Sequence, residues 1–204
     1  MLRTTLLAEG PGDRALIPVI RWLLAEHWPF DFAEPQFAMT STRHLAERIQ
    51  SVVREYPCEL LLVHRDADKP DRSTREQDIR NAADSARVLR TPVVCLIPVR
   101  ETEAWLLLEE KAIRQAAGHP NGRRSLGLPP LHEIEATSHP KERLKRALVE
   151  AAELSGRRLK KFRLEVAVSR IAELMNPLLL RQLPAFAAFE RDLSANLARI
   201  ESRS

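Results

Sequence analysis

The chain has 204 residues, 44% of them hydrophobic and 29% charged, enough to bury one sizeable core and ordinary for a folded domain rather than a disordered one. No apolar run approaches the roughly 20 residues that span a bilayer. The short run after Arg3 ends at Glu9 without signal-peptide form, and two cysteines make neither a disulfide framework nor a zinc site, so a reducing, cytoplasmic setting is expected. The net charge of +4 leans towards a polyanionic partner.

Residues 3–9 (RTTLLAE) predict a strand, ended by Gly10-Pro11-Gly12. Asp13 then suits the N-cap of a helix to about His27, with Leu16, Val19, Ile20, Leu23 and Leu24 on one face; Pro18 allows a later start. PQFAMT (35–40) is a second strand, and Ser41 or Thr42 caps a helix to about Tyr56. ELLLVHRD (59–66) is the clearest strand, a continuous apolar run of the kind covered on both faces. A polar helix over 74–90 and a fourth strand over 91–99 follow, and ETEAWLLLEEKAIRQAA (101–117) returns to helix. Residues 118–139 lose periodicity and predict a long surface loop, beyond which helices are expected at 140–154, 162–175 and 184–201. Alternation of strand and helix implies an α/β fold: a mostly parallel sheet of about four strands with helices on both faces, plus a helical C-terminal extension. We divide the chain into a core over 1–117 and a loop and helical extension over 118–204, packed as one unit.

Three of these strands end in acids: Glu9 after the first, Asp66 and Asp68 in HRDAD after the third, Glu101 and Glu103 in RETE after the fourth. Ligands of open parallel sheets bind beyond the carboxyl ends of the strands, and acids spaced i, i+2 there point to one side. Carboxylates gathered at one edge repel unless a cation sits among them, and an oxygen-only set suits Mg²⁺ or Mn²⁺. Against this, a single Asp after a strand is ordinarily a turn former or cap, Asp13 most of all, and Glu101 and Glu103 could simply begin a helix. Gly10, Gly12 and Ala15 also fit a dinucleotide-binding turn, but Glu9 and Asp13 would oppose the pyrophosphate, and the second strand ends without an acid for a ribose.

Glu-Gly-x-x-Asp after a first strand and Asp-x-Asp after a later one resemble the Toprim domain of topoisomerases, primases, recombination proteins and OLD-type nucleases. The chain also resembles small Toprim-like bacterial proteins that share the motifs seen here at Glu9 to Asp13, Arg65 to Asp68, Glu101 to Leu107 and Pro140 to Glu142. That resemblance implies that Asp66 and Asp68 bind metal and that Glu9 binds metal or transfers a proton. From OLD-type nucleases it implies a further ligand at Asp13, with Glu103 and Lys141 as candidates for the acid and lysine that complete the site. The only tyrosine is Tyr56, at a predicted helix end, so topoisomerase chemistry is not expected.

His64 is taken as a strand residue rather than a ligand, and Trp22, Trp28 and Trp105 as core residues. GRRLKKFR (156–163) could grip a phosphate backbone, but its charges fall around the whole helix rather than on one face, the pattern of a solvated surface. The expected function is a Mg²⁺-dependent phosphodiesterase acting on nucleic acid. The resemblance suggests a role in defence against phage or mobile DNA, with a partner ATPase. The alternative is a non-catalytic Toprim-like module that binds nucleic acid or a partner protein.

Overall fold

The computed structural model describes residues 1–67, 71–88 and 90–203. Four strands, β1 (Thr4–Leu7), β2 (Gln36–Ala38), β3 (Leu60–His64) and β4 (Val93–Leu96), form one sheet in the order β2-β1-β3-β4, every pair parallel. The fold is therefore the expected α/β sheet with a helical C-terminal region. Thr4 pairs with Leu60 and Leu61 with Val93, which fixes the register and brings the chain out of β1 and β3 side by side. The strand order reverses between these two strands, the position where such sheets open a crevice for ligands.

Alternation sorts the core into two layers. Leu6, Leu60, Leu62, Val94 and Leu96 face one side, Leu7, Leu61, Val63 and Cys95 the other. The second side is covered by α2 (Leu45–Glu55) through Ile49 and Val52, and by α3 (Ser73–Ser85) through Ile79. The first side takes α1 (Leu16–His27) and the helices that follow the last strand: α4 (Glu110–Ala116), α5 (Pro140–Ala152), α6 (Gly156–Lys160), α7 (Leu164–Leu174) and α8 (Pro184–Glu201). Apart from α6, which buries no residue, their apolar faces join the cluster that includes α1. Trp105, Phe186 and Phe189 are buried there, with ring centroids 5.3 to 6.5 Å apart, and Trp22 stacks on Phe186 at 6.3 Å. Trp28 is buried as well, its ring edge-on to Phe30.

Element boundaries depart from the sequence expectations for local reasons. Residues Pro11–Ala15 form a 3-10 turn, so α1 starts at Leu16 rather than at Asp13. The helix expected to begin near Ser41 starts at Leu45, because His44 remains extended (φ −80°, ψ 125°). Arg87 enters the left-handed region (φ 54°) and α3 has ended before it. The single helix expected over 101–117 is a 3-10 turn, Thr102–Leu107, followed by α4; extended backbone at Glu109 (φ −122°, ψ 101°) separates them. Residues 118–139 are irregular apart from a 3-10 turn at Leu131–Glu133.

One long-range device closes the β4 edge. Asp192 of α8 accepts a hydrogen bond from the Cys95 backbone N–H at 3.1 Å, while Arg80 of α3 donates to the Val93 carbonyl at 3.0 Å and to Asp192 at 2.9 Å. An exposed strand edge is a template for pairing with another chain, and side chains from two helices occupy this one.

Candidate functional site

Acids from three strand ends and one helix start meet at the carboxyl edge of the sheet. Backbone pairing runs on past the strands, with Ala8 N–H donating to Ala38, Arg65 N–H to Leu96 and Ala67 N–H to Pro98. The residues just beyond β1 and β3 are thereby fixed. Glu9 reaches across the reversal between these strands: Oε2 accepts from the Asp66 N–H at 3.0 Å, and Oε1 lies 2.6 Å from Arg65 Nε. Asp66 in turn accepts, through Oδ1, a hydrogen bond from the Thr102 N–H at 3.2 Å, which ties the β3 end to the β4 loop.

His64 stands beneath them. Leu60, Leu62, His64 and Asp66 alternate onto the α1 face, so the imidazole follows the apolar stripe and Asp66 follows the imidazole. The ring has no exposed surface; its Nε2 lies 3.0 Å from Thr102 Oγ1, within hydrogen-bond reach, and 3.3 Å from Asp66 Oδ1. Nδ1 is 3.1 Å from Asp13 Oδ2 without hydrogen-bond geometry, a contact of charge. Burial opposes charge on this ring, yet the carboxylates on either side raise its pKa to about 9. Asp13 is itself buried and accepts from the N–H groups of Glu9 at 2.9 Å and Gly10 at 2.8 Å through the same oxygen. Burial would raise its pKa, but His64 and those two N–H groups hold it below the usual carboxylate range.

Asp66 and Glu103 behave oppositely. Burial first, then the charges of Asp13 and Glu9, push Asp66 up against the pull of His64. Glu103 is raised by burial and by Glu101 and Asp66, with Lys141 acting the other way. Lys141 Nζ is 3.8 Å from Glu103 Oε1, and the Lys141 N–H donates to Glu101 Oε2 at 3.0 Å. The ETE and PKE stretches, forty residues apart, thus dock on each other. Both enter this contact through a non-glycine in the left-handed region, Arg100 (φ 64°) and His139 (φ 52°). Such backbone costs on the order of 1 kcal/mol or more and persists only where its surroundings fix it.

The structure thus brings together Glu9, Asp13, Asp66, Glu103 and Lys141 of the residues named from sequence, while Asp68 lies outside the described residues. His64 is the strand residue expected from sequence, but its contacts with Asp13, Asp66 and Thr102 were not foreseen, nor was Thr102 itself. A titratable ring two residues before Asp66 on a fully buried strand was the available signal. Among the described residues, no three His, Cys, Asp or Glu side chains stand close enough to enclose a metal ion. Mg²⁺ does not require such a cage, since it keeps several waters and commonly takes one or two carboxylates. Asp66 and Glu103, raised by burial and crowded by further acids, are an oxygen donor set that a divalent cation would relieve.

Fold and site together define an α/β protein with acids gathered at the carboxyl edge of a parallel sheet, beside the reversal of its strand order. Residues 8–194 match the model of a domain of unknown function (DUF4276), and the chain belongs to that family. No curated protein and no solved structure matches the chain. Among the described residues no helix is long and apolar enough to cross a membrane.

Proposed function

We propose that this protein is a metal-dependent phosphodiesterase acting on nucleic acid, with a Toprim-like site. The observation that carries the reading is that Glu9 and Asp66 meet at the sheet reversal with Glu103 near enough on the β4 side to feel Asp66, and that Asp66 and Glu103 are pushed towards protonation by burial and crowding. Asp66, with Glu103 as the second carboxylate, would hold Mg²⁺ or Mn²⁺ together with water, and Asp68 is the next acid along the sequence. A bound divalent ion supplies charge for the phosphate and acidity for an attacking water.

The protein's own groups do the rest. Lys141, half-exposed beside Glu103, offers an ammonium to a phosphate oxygen. Glu9 faces outward far enough to accept the proton of water that attacks phosphorus as the P–O ester bond breaks; Arg65 and the Asp66 N–H orient it. Asp13, turned inward to the backbone and to His64, serves as a positioning group in this reading rather than as a ligand.

The test compares wild type with Asp66→Asn and Glu9→Gln on single-stranded DNA, duplex DNA and RNA, with Mg²⁺, Mn²⁺ or chelator. Expected is metal-dependent cleavage that falls at least about a hundredfold in either variant. The melting temperature of metal-free Asp66→Asn should stay level or rise, because burial already disfavours the charged form of Asp66. Cleavage indifferent to chelator rejects the mechanism. The ion pair between Glu9 and Arg65 favours a second reading, a non-catalytic binding module in which that acid is structural. Nucleic-acid binding without cleavage on any substrate would select it.

A further inference from the structure

We propose that Arg157, Arg158, Lys160, Lys161 and Arg163 form the surface along which a nucleic-acid backbone approaches the site. All five side chains are exposed, and none forms an ion pair with a described residue. They carry more positive charge than the net +4 of the whole chain, and no acid interrupts them between Ser155 and Arg163. By contrast, several other arginines are neutralised locally: Arg3 by Glu59, Arg80 by Asp192, Arg114 by Glu110 and Arg181 by Glu190.

A continuous helix would scatter these charges around its circumference, but the chain does not form one. Gly156, with φ 55°, opens α6, which ends at Lys160. The backbone turns through Lys161 and Phe162 before α7 begins. Phe162 packs against the core and Leu159 is half-buried, while all five cations stay exposed.

The segment also leads to the right end of the molecule. α7 packs against the Pro11–Ala15 turn that carries Asp13. Its last residues, Ala172 and Glu173, line a cleft with Pro18, Val19 and Trp22, further along α1. Arg163 immediately precedes α7, so the basic segment joins the fold at a helix that packs against both that turn and α1.

This chemistry fits a phosphate backbone rather than a lipid surface. A membrane-binding helix presents a broad apolar face to the acyl boundary, whereas residues 156–163 hold only two apolar side chains, one of them, Phe162, packed against the core. With Phe162 turned inward, the segment offers no exposed aromatic ring for a base to stack on, so the grip is on charge and not on sequence.

The inference rests on the reading above for its choice of nucleic acid, and its test is made in chelator so that cleavage plays no part. Fluorescence anisotropy follows full-length protein binding to labelled single-stranded and duplex 20-mers across a salt series. One variant carries R157Q, R158Q, K160Q, K161Q and R163Q; a control neutralises Arg43, Arg90, Arg191, Arg199 and Arg203, exposed elsewhere. The first should lose at least about tenfold in affinity and about three units or more of salt slope, since each phosphate contact contributes about 0.9. The control should change less than about threefold. Equal loss in both variants would reduce the effect to net charge and overturn the proposal. So would absence of binding by wild type, or binding to vesicles of phosphatidylcholine and phosphatidylserine in preference to nucleic acid. Segment-dependent binding without metal-dependent cleavage would keep this inference and remove the nuclease reading.

Discussion

His64 is held between two carboxylates with no exposed surface, and its charge state is coupled to folding. Its pKa is about 9 in the fold against 6.5 for the free side chain. A raised pKa means that the folded state binds the proton more tightly, so this stabilisation is complete below about pH 6.5 and lost as pH rises through about 9. For the metal-free protein, unfolding free energy should fall by up to about 3 kcal/mol across that window, at 1.36 kcal/mol per unit. Urea titrations at half-unit pH steps would measure the slope, with His64→Gln expected to flatten it. An unchanged slope in that variant would assign the effect elsewhere, and stopping at pH 9 limits the contribution of Cys95, whose burial pushes it up to about 12. The acids of this site could be read from sequence because each follows a strand. The role of His64 could not, since it depends on Asp13 arriving from a turn fifty residues earlier and on Thr102 arriving from the other side.

At the scale of elements, the β4 edge offers the sharpest test. Asp192→Ala removes the acceptor of the Cys95 N–H and the partner of Arg80 together. Hydrogen bonds to charged groups contribute about 1.5–3 kcal/mol, so a loss of about 2 kcal/mol is expected by urea unfolding. Sedimentation should also reveal self-association at high concentration, because the edge becomes available for pairing. A loss below about 0.5 kcal/mol with no association would mean that the edge is protected by something else. The strands themselves were legible: β3 is a continuous apolar run and β1 stops at Gly-Pro-Gly. What sequence did not reveal were the departures set by backbone conformation, such as the early end of α3 and the split at Glu109. Glu109 accepts the Asn176 N–H at 2.6 Å, a partner sixty-seven residues away that no local pattern announces.

For the molecule as a whole, the helices after β4 complete the α1 face rather than forming a core of their own. Trp105 is buried against Phe186 and Phe189 of α8, and α5 packs on the Thr102–Leu107 turn. A fragment ending at Ala117 would expose Trp105, Leu106 and much of the α1 face, so it should give no cooperative thermal transition by circular dichroism, whereas full-length protein should melt in one step. A fragment that melts cooperatively on its own would establish 1–117 as an independent folding unit. In the full chain, Trp105→Ala should cost about 3–5 kcal/mol, as expected for emptying a fully buried indole site.

The Asp192 contact also imposes an order on events during synthesis. Cys95 leaves the ribosome ninety-seven residues ahead of its acceptor, so at typical elongation rates of about 5–20 residues per second the edge of β4 waits roughly 5–20 s before α8 can cover it. Through that interval the nascent sheet carries an open margin and an unfinished apolar face. Nascent chains on crowded polysomes are at greatest risk of pairing with one another then, and a chaperone that holds the emerging chain has its largest effect on yield in those seconds.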